Sequence, residues 1–479
     1  MKKLDAIVKV AASQLNLVSL LFYTIVYGIT WYQFYYDMVF TGDRIVAFWQ
    51  KGNWLMIGIY GIMFYVFSKV FEGNKSGFYK TMDTFLAEVW TLFCVNSLTF
   101  LQIALMAVWP VRMWSGKLWP MIIATLADFA FAGIWSAISQ RIYRFVYPPR
   151  KLLLIHGSRP IEGIMEKLES RGDRYLISKS MDVKEGAERL KKEALSGYEG
   201  VVLWDIPDKT RNVLLKYFYS RSIRVYLMPK IADVLIKGSE SLHLFDAPIF
   251  MVREYSLTFG QRVYKRGIDI ICSLILLIIT SPIMLVTAIL IKMEDAGPVL
   301  YRQIRCTIGG KEFEILKFRS MRVDAEGDGV VRLAAKKDDR ITKIGKVIRK
   351  VRIDELPQLI NILRGEMSFI GPRPERPELI RDYMDEMPEF AFRMKVKAGL
   401  AGYAQVYGQY NTTPYDKLKL DLSYIEEYSV WLDLKLMLLT LKILLKAEST
   451  EGIEENQVNA LRASLGEYEP GHEKEDDSI

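Results

Sequence analysis

Residues 15–40, 53–71, 85–109 and 119–142 form four apolar stretches, each long enough to cross a bilayer. Hydrocarbon offers no hydrogen-bond partners, so each must fold as an α-helix that pairs its own backbone. The cations around them are unequal. Lys2, Lys3 and Lys9 precede the first stretch, Lys69, Lys75 and Lys80 separate the second from the third, and Arg141, Arg144, Arg150 and Lys151 follow the fourth. The other two loops carry only Arg44 with Lys51 and Arg112 with Lys117. Positive charge stays on the cytosolic side, which places the N-terminus and everything after residue 142 there. Glu88 and Asp128 fall inside predicted spans, where helix pairing is the plain expectation and a functional role the alternative.

A fifth apolar run, 268–291, differs. Ser281-Pro282 interrupts it, and cations flank both ends: Arg262, Lys265 and Arg266 before, Lys292, Arg302 and Arg305 after. A crossing helix would put one cluster on the wrong side. A helix broken at Ser281-Pro282, entering one leaflet and returning, satisfies both. With 51% hydrophobic residues over 479 positions, the chain reads as a membrane protein with substantial soluble parts. Its net charge of +8, despite an acidic tail at 450–479, suits an anionic lipid surface or a phosphorylated substrate. No zinc-finger or RNP-type motif supports nucleic acid. Cys94, Cys272 and Cys306 are too few, and two of them too apolar in setting, for a disulfide framework. The hydrophobic segment after the basic N-terminus is too long for a cleavable signal peptide.

Between the fourth span and residue 258, β-rich runs (151–156, 201–205, 224–228) alternate with helical patterns (184–195, 209–219). This predicts a cytosolic α/β, Rossmann-like domain over 149–258 with a parallel sheet. Its first turn, Gly157-Ser158-Arg159-Pro160, lacks the dinucleotide-binding glycines, so a structural or regulatory role is expected.

Chemistry concentrates in an α+β domain at 259–449. Runs 299–305 and 313–319 predict a hairpin around Gly309-Gly310, leading into Lys317 and Arg319, which share a strand face as a phosphate clamp. Farther on, Asp354 and Glu355 are predicted to open a short helix, with Pro357 in its first turn and Gly365 at its end. Arg349, Lys350 and Arg352 add cationic charge beside them. Residues 431–445 read as a helix at the membrane surface or in the core. The three histidines, His156, His243 and His472, all lie outside this third, which removes Ser-His and Cys-His nucleophiles unless His243 reaches in. No Asp-x-Asp pair and no Walker motif occurs. Carboxylate nucleophile or carboxylate–metal chemistry remains.

Five motifs then carry a resemblance: Tyr264-Lys265-Arg266-Gly267-Ile268-Asp269, 317–321, 353–359, Gly365-Glu366-Met367-Ser368-Phe369-Ile370-Gly371-Pro372-Arg373-Pro374, and Gly402-Tyr403-Ala404-Gln405-Val406. On these the chain resembles the large bacterial polyprenyl-phosphate hexose-1-phosphate transferases, the group of undecaprenyl-phosphate galactose and glucose phosphotransferases. The resemblance implies a multi-pass bacterial inner-membrane protein: a four-span bundle (1–148), the α/β domain, and a cytosolic catalytic domain with a re-entrant membrane hairpin (264–292). It implies a UDP-sugar donor, undecaprenyl phosphate as acceptor, and Mg²⁺. Carried over, Asp354 looks like the nucleophile and Glu355 like the metal-binding partner, with Asp354 also near the metal. Lys317, Arg319, Arg349, Arg373 and Arg376 look like phosphate or substrate binders. Arg266, Asp269, Ser281 and Pro282 look like the residues that shape the re-entrant helix. Departures occur at Arg305-Cys306-Thr307-Ile308-Gly309-Gly310, at Ala398-Gly399-Leu400-Ala401-Gly402, and at Gln409, where the family commonly has arginine. They fall near the expected nucleotide or sugar pocket and leave the sugar unassigned. Two other classes compete: a UDP-releasing glycosyltransferase and a non-enzymatic scaffold of capsule assembly. A homodimer is expected, since a domain without an obvious ligand site often mediates subunit contacts.

Overall fold

A computed structural model describes residues 14–35, 40–41, 44–45, 50–106, 119–244, 247–253, 256–295, 297–323, 340–408 and 412–444. Lys2, Lys3, Lys9, Arg112, Lys117, Gln409, His472 and the tail at 450–479 lie outside the described residues. The chain divides into two compact units, Met1–Met228 and Pro229–Ile479.

In the first unit, helices α1 (Leu15–Phe34), α2 (Gln50–Val70), α3 (Thr81–Met106) and α4 (Trp119–Val146) are each long and apolar enough to cross a membrane. Their shared core is aromatic: Tyr23, Tyr27, Trp31, Tyr60 and Phe64 are buried, and the Tyr27 and Tyr60 rings stack 4.2 Å apart. Leu21, Ile25, Ile62 and Leu126 face outward. An inward tyrosine hydroxyl must find a partner in so apolar a core. Tyr23 donates to Glu88 at 2.7 Å, Tyr60 donates to Asn96 at 2.9 Å, and Asn96 donates to Thr125 at 2.9 Å. These bonds tie helices together, the plain expectation for Glu88.

After the bundle, β1 (Arg150–His156), α5 (Glu162–Glu169), β2 (Tyr175–Asp182), α6 (Ala187–Ala194), β3 (Gly200–Trp204), α7 (Asp208–Ser220) and β4 (Arg224–Leu227) form a parallel sheet ordered β2-β1-β3-β4. Side chains alternate across it. Leu153, Ile155, Val201 and Leu203 pack on one face, and Leu152, Leu154, Val202 and Trp204 on the other. The first turn is closed from within, because the Asp205 carboxylate accepts from the Ser158 hydroxyl and the Arg159 N–H, both at 3.2 Å. The domain is bolted to the loop between α2 and α3. Arg171 donates to the Phe78 carbonyl at 2.6 Å, Arg174 donates to the Gly77 carbonyl, and the Arg174 guanidinium lies 3.9 Å from the Tyr143 ring centre.

The second unit begins before residue 258: Ile231 and Val234 of α8 (Ile231–Lys237) pack into its core. A hairpin, β5 (Glu240–Leu244) with β6 (Ala247–Met251), follows. Then comes α9 (Phe259–Asp295), which runs through Ser281-Pro282 without interruption. The sequence predicts a break there. Proline cannot donate to the carbonyl four residues back, but the Ser281 hydroxyl donates to that carbonyl, Ile278, at 2.8 Å, so the freed acceptor is satisfied inside the helix. Strands β7 (Leu300–Cys306) and β8 (Glu312–Phe318) form the expected hairpin, with Gly309 and Gly310 at positive φ in its turn. Around them lie α10 (Lys343–Lys350), α11 (Gln358–Arg364), β9 (Ser368–Ile370), α12 (Pro377–Glu386), β10 (Gly399–Ala401), α13 (Tyr403–Tyr407), α14 (Pro414–Glu426) and α15 (Val430–Leu444). Leu436 and Leu439 of α15 are buried while Trp431 is exposed, so one of its faces belongs to the core.

Candidate active site

Two elements bring the site together. Strand β8 carries Lys317 near its end, and the link from α10 to α11 carries Asp354 and Glu355. Arg352 takes a left-handed conformation (φ 56°, ψ 25°) that turns the chain out of α10. An L-residue there costs about 1–2 kcal/mol, strain of the kind that gathers at functional sites. The carboxylates sit on a 3₁₀ turn, Ile353–Glu355, closed by the Leu356 N–H donating to the Ile353 carbonyl at 3.1 Å. The sequence predicts them opening α11 itself. Pro357 has no N–H to continue the first turn, so the helix proper starts afresh at Gln358 and ends at Gly365 in the left-handed region, as predicted.

Glu355 faces three cations: Lys317 Nζ at 3.4 Å, an Arg373 guanidinium nitrogen at 3.4 Å and an Arg352 guanidinium nitrogen at 3.6 Å. Burial alone would raise its pKa, but the Lys317 ammonium first, then Arg373 and Arg352, hold it down at about 2. Asp354 goes the other way. Burial and the neighbouring Glu355 charge push it up to about 6, against Lys317, Arg349 and Arg352. Burial lowers the pKa of Lys317, and Glu355 opposes that fall. The two adjacent carboxylates thus sit in unequal surroundings: three cations hold the Glu355 pKa down, while burial beside that charge pushes Asp354 up.

Arg373 is delivered by a rigid loop. The Gly371 N–H donates to the Ala401 carbonyl and the Gly399 N–H to the Pro372 carbonyl, both at 2.9 Å. A Cβ on Gly399 would stand 2.1 Å from the Gly371 nitrogen, so only glycine allows this approach. Behind the loop, Arg393 donates to the Arg373 carbonyl at 3.0 Å and pairs with Asp421 at 2.8 Å. Glu375 pairs with Lys417 and, at 3.7 Å, with Arg393; burial would raise its pKa, but Lys417 and Arg393 hold it at about 2.

Of the predicted phosphate binders, Lys317 and Arg373 meet at Glu355, and Arg349, half-buried in the last turn of α10, acts on Asp354. Arg319 does not join them. It is buried in an ion pair with Asp295 at the end of α9. Arg376 immediately precedes α12, close enough to Arg305 to act on its charge; burial lowers the Arg305 pKa to about 10, with Glu375 opposing. Arg266 donates to the Ile362 and Leu363 carbonyls at 2.5 and 2.6 Å, capping α11. Asp269 accepts from the Ser368 hydroxyl at 3.0 Å and the Phe369 N–H at 2.9 Å. Ser281 and Pro282 lie within α9, remote from these anchors in sequence. Sequence reasoning missed Asn361 and the Glu375–Arg393–Asp421 set; a polar residue inside the apolar stripe of α11 was the available signal. Among the described residues no three His, Cys, Asp or Glu side chains converge on a metal position.

Residues 260–447 match the bacterial sugar transferase family. A UDP-N-acetylgalactosamine-undecaprenyl-phosphate N-acetylgalactosaminephosphotransferase of Aeromonas hydrophila is 44% identical over 184 residues, 38% of this chain and 43% of that protein. A UDP-glucose:undecaprenyl-phosphate glucose-1-phosphate transferase of Escherichia coli K12 is 36% identical over 221 residues, 45% of this chain and 47% of that protein. A protein of the same description from Caulobacter vibrioides is 40% identical over 190 residues, 39% of this chain and 71% of that protein. The chain spans under half the length of the first two of these relatives.

Proposed function

The chain belongs to the bacterial sugar transferase family, and from that premise we propose that it moves a hexose-1-phosphate from a UDP-sugar, UDP-galactose or UDP-glucose, to undecaprenyl phosphate, releasing UMP. The observation that carries this is the carboxylate pair in its cationic setting: Glu355 lies 3.4 Å from Lys317, 3.4 Å from Arg373 and 3.6 Å from Arg352, with Asp354 next to it on the same turn. An Asp354 carboxylate oxygen attacks the β-phosphorus of the donor. The bond from that phosphorus to the bridging oxygen breaks, UMP leaves with the electron pair, and a phosphosugar-aspartyl acyl phosphate remains. An oxygen of the lipid phosphate then attacks the same phosphorus and expels the carboxylate, giving undecaprenyl-diphospho-sugar. Lys317, Arg373 and Arg349 offset the phosphate charge through both steps.

The pair fits Mg²⁺, which is held through one or two carboxylates with substrate phosphates and water completing its shell. Glu355, ionised across the physiological range, and Asp354 would hold it; when bound it would neutralise diphosphate charge. Two-step transfer suits the setting, because the lipid phosphate stays at the interface while the nucleotide stays in water.

The first unit is read as four spans and a Rossmann-like domain, with the N-terminus and the catalytic unit cytosolic at the bacterial inner membrane. Helix α9 is read as re-entrant, bending at Pro282 while its helical run stays unbroken. Arg266 and Asp269 near one end and Thr287 and Ile291 near the other all bond to or bury in the same unit, while Ile278 and Ile279 between them are exposed. A crossing helix would send those anchors to opposite sides of the bilayer. The protein would act as a homodimer at the first step of a surface-polysaccharide, O-antigen or S-layer glycan. The test is nucleotide release from membranes given Mg²⁺, undecaprenyl phosphate and a panel of UDP-sugars. UMP with one sugar establishes the transfer and names the donor; UDP, or no nucleotide with any sugar, overturns it.

A further inference from the structure

Asn361 is fully buried on α11, among Leu359, Ile362 and the rest of the apolar core. A buried carboxamide must place one acceptor and two donors. This one places all three. Its Oδ1 accepts from the Leu316 N–H at 3.0 Å, and its Nδ2 donates to the Glu314 carbonyl at 2.7 Å and to Glu366 Oε2 at 2.6 Å. The first two bonds have a particular form. Strand β8 pairs with β7 along one edge, and Glu314 and Leu316 turn a carbonyl and an N–H toward the other. There the Asn361 amide stands in for a neighbouring strand, one peptide unit long. The third bond, to the acceptor-only side of the Glu366 carboxyl, fixes which way the amide faces.

What this joint holds apart or together follows from the chain on either side. Lys317 is the next residue after Leu316 on β8. Asp354 and Glu355 lie on the turn just before α11. The 3.4 Å contact between Lys317 and Glu355 therefore closes a ring whose other closure is Asn361. We infer that Asn361 is a positioning residue: its side-chain amide docks α11 against the free edge of β8 and so sets the spacing between the Lys317 ammonium and the Asp354–Glu355 pair. It touches no substrate. This inference rests on the proposed phosphosugar transfer for its kinetic readout, but not for its structural one.

The test uses Asn361→Asp, nearly the same shape but without the two donors and with a negative charge facing Glu366. A misplacement of about 1 Å at a reacting centre costs on the order of 10²-fold in rate. In the full chain in lipid particles, kcat is expected to fall about 100-fold with KM for the UDP-sugar within about threefold of wild type. The double variant Asn361→Asp/Glu366→Gln, which restores a donor between the two side chains, is expected to recover about tenfold of that loss. Zero-length carbodiimide coupling of Lys317 to Glu355, read by peptide mass spectrometry, is expected to drop about fivefold, a ratio that stability alone does not move. If Asn361→Asp fails to fold, Glu366→Ala gives the second reading, with kcat expected about tenfold down because one amide donor loses its acceptor. Wild-type rate and unchanged Lys317–Glu355 coupling in either folded variant would overturn the inference. If wild type released UDP, or no nucleotide, the proposed reaction would fall, while the coupling ratio would still decide the role of Asn361.

Discussion

Asp354→Asn should abolish turnover and yet stabilise the protein, and the gain should depend on pH. The reasoning starts from the carboxyl itself. Burial and the Glu355 charge raise its pKa from the ordinary 3.8 to about 6, so the folded state holds an ionised Asp354 less favourably than the unfolded chain does. A raised acid costs stability in full above about pH 6; the cost fades as pH falls and is gone below 3.8. At about 1.4 kcal/mol per pH unit, the gap between 3.8 and about 6 corresponds to about 3 kcal/mol at neutral pH. Water on the open side of a half-buried carboxyl reduces that to about 1–2 kcal/mol. The amide carries no charge and escapes the cost. In a domain of this size about 1 kcal/mol moves the melting temperature by roughly 2–4 °C. Thermal unfolding of purified protein in metal-free lipid particles should therefore show the Asp354→Asn variant melting about 2–8 °C above wild type at pH 7.5. At pH 4 the difference should shrink toward zero. A variant that is neutral or destabilised at pH 7.5, or a gain that persists unchanged at pH 4, would refute the strained-carboxylate argument.

Other outcomes follow from particular contacts. Lys265→Met should cost about 3–5 kcal/mol, because Asp433, 1% exposed and 2.7 Å from the Lys265 ammonium, would be left buried without that cation; adding Asp433→Leu should recover most of it, read as yield of monodisperse protein and melting temperature. Gly399→Ala should abolish folded protein, since its Cβ would meet the Gly371 nitrogen at 2.1 Å and the Ala401 carbonyl oxygen at 2.5 Å; expression as a soluble detergent extract measures this. Lys317→Met should lower kcat about 100-fold or more and, by removing a cation that lowers the Asp354 pKa, move the acid limb of the pH–rate profile to higher pH.

Much of the architecture was legible because the bilayer and the strand period impose strict patterns. The long apolar helices, the hairpin turning at Gly309-Gly310 and the end of α11 at Gly365 all announce themselves locally. Strand β2 did not: seven of its eight residues are not buried, and Lys179 and Ser180 hide the strand period at an exposed sheet edge. The continuity of α9 through Pro282 was equally hidden, because it depends on where one serine hydroxyl points. In the site, adjacent Asp354 and Glu355 are visible as a pair, but their opposite pKa directions come from residues distant in sequence: Lys317 from β8 and Arg373 from a loop after β9. Lys317 and Arg319 look equivalent on paper. The structure separates them, since Asp295 at the end of α9 claims Arg319. Asn361 reads as an interruption of an apolar stripe until the free edge of β8 is seen beside it.

The most direct experiment is acid quenching of the purified protein after incubation with the UDP-sugar that supports turnover, without acceptor lipid, followed by mass mapping of the peptide containing Asp354. A hexose-phosphate adduct on Asp354, formed with one equivalent of UMP and discharged by undecaprenyl phosphate, is the expected outcome. UMP or UDP released with no adduct on Asp354, or an adduct that persists in the Asp354→Asn variant, would show that the carboxylate pair does something else.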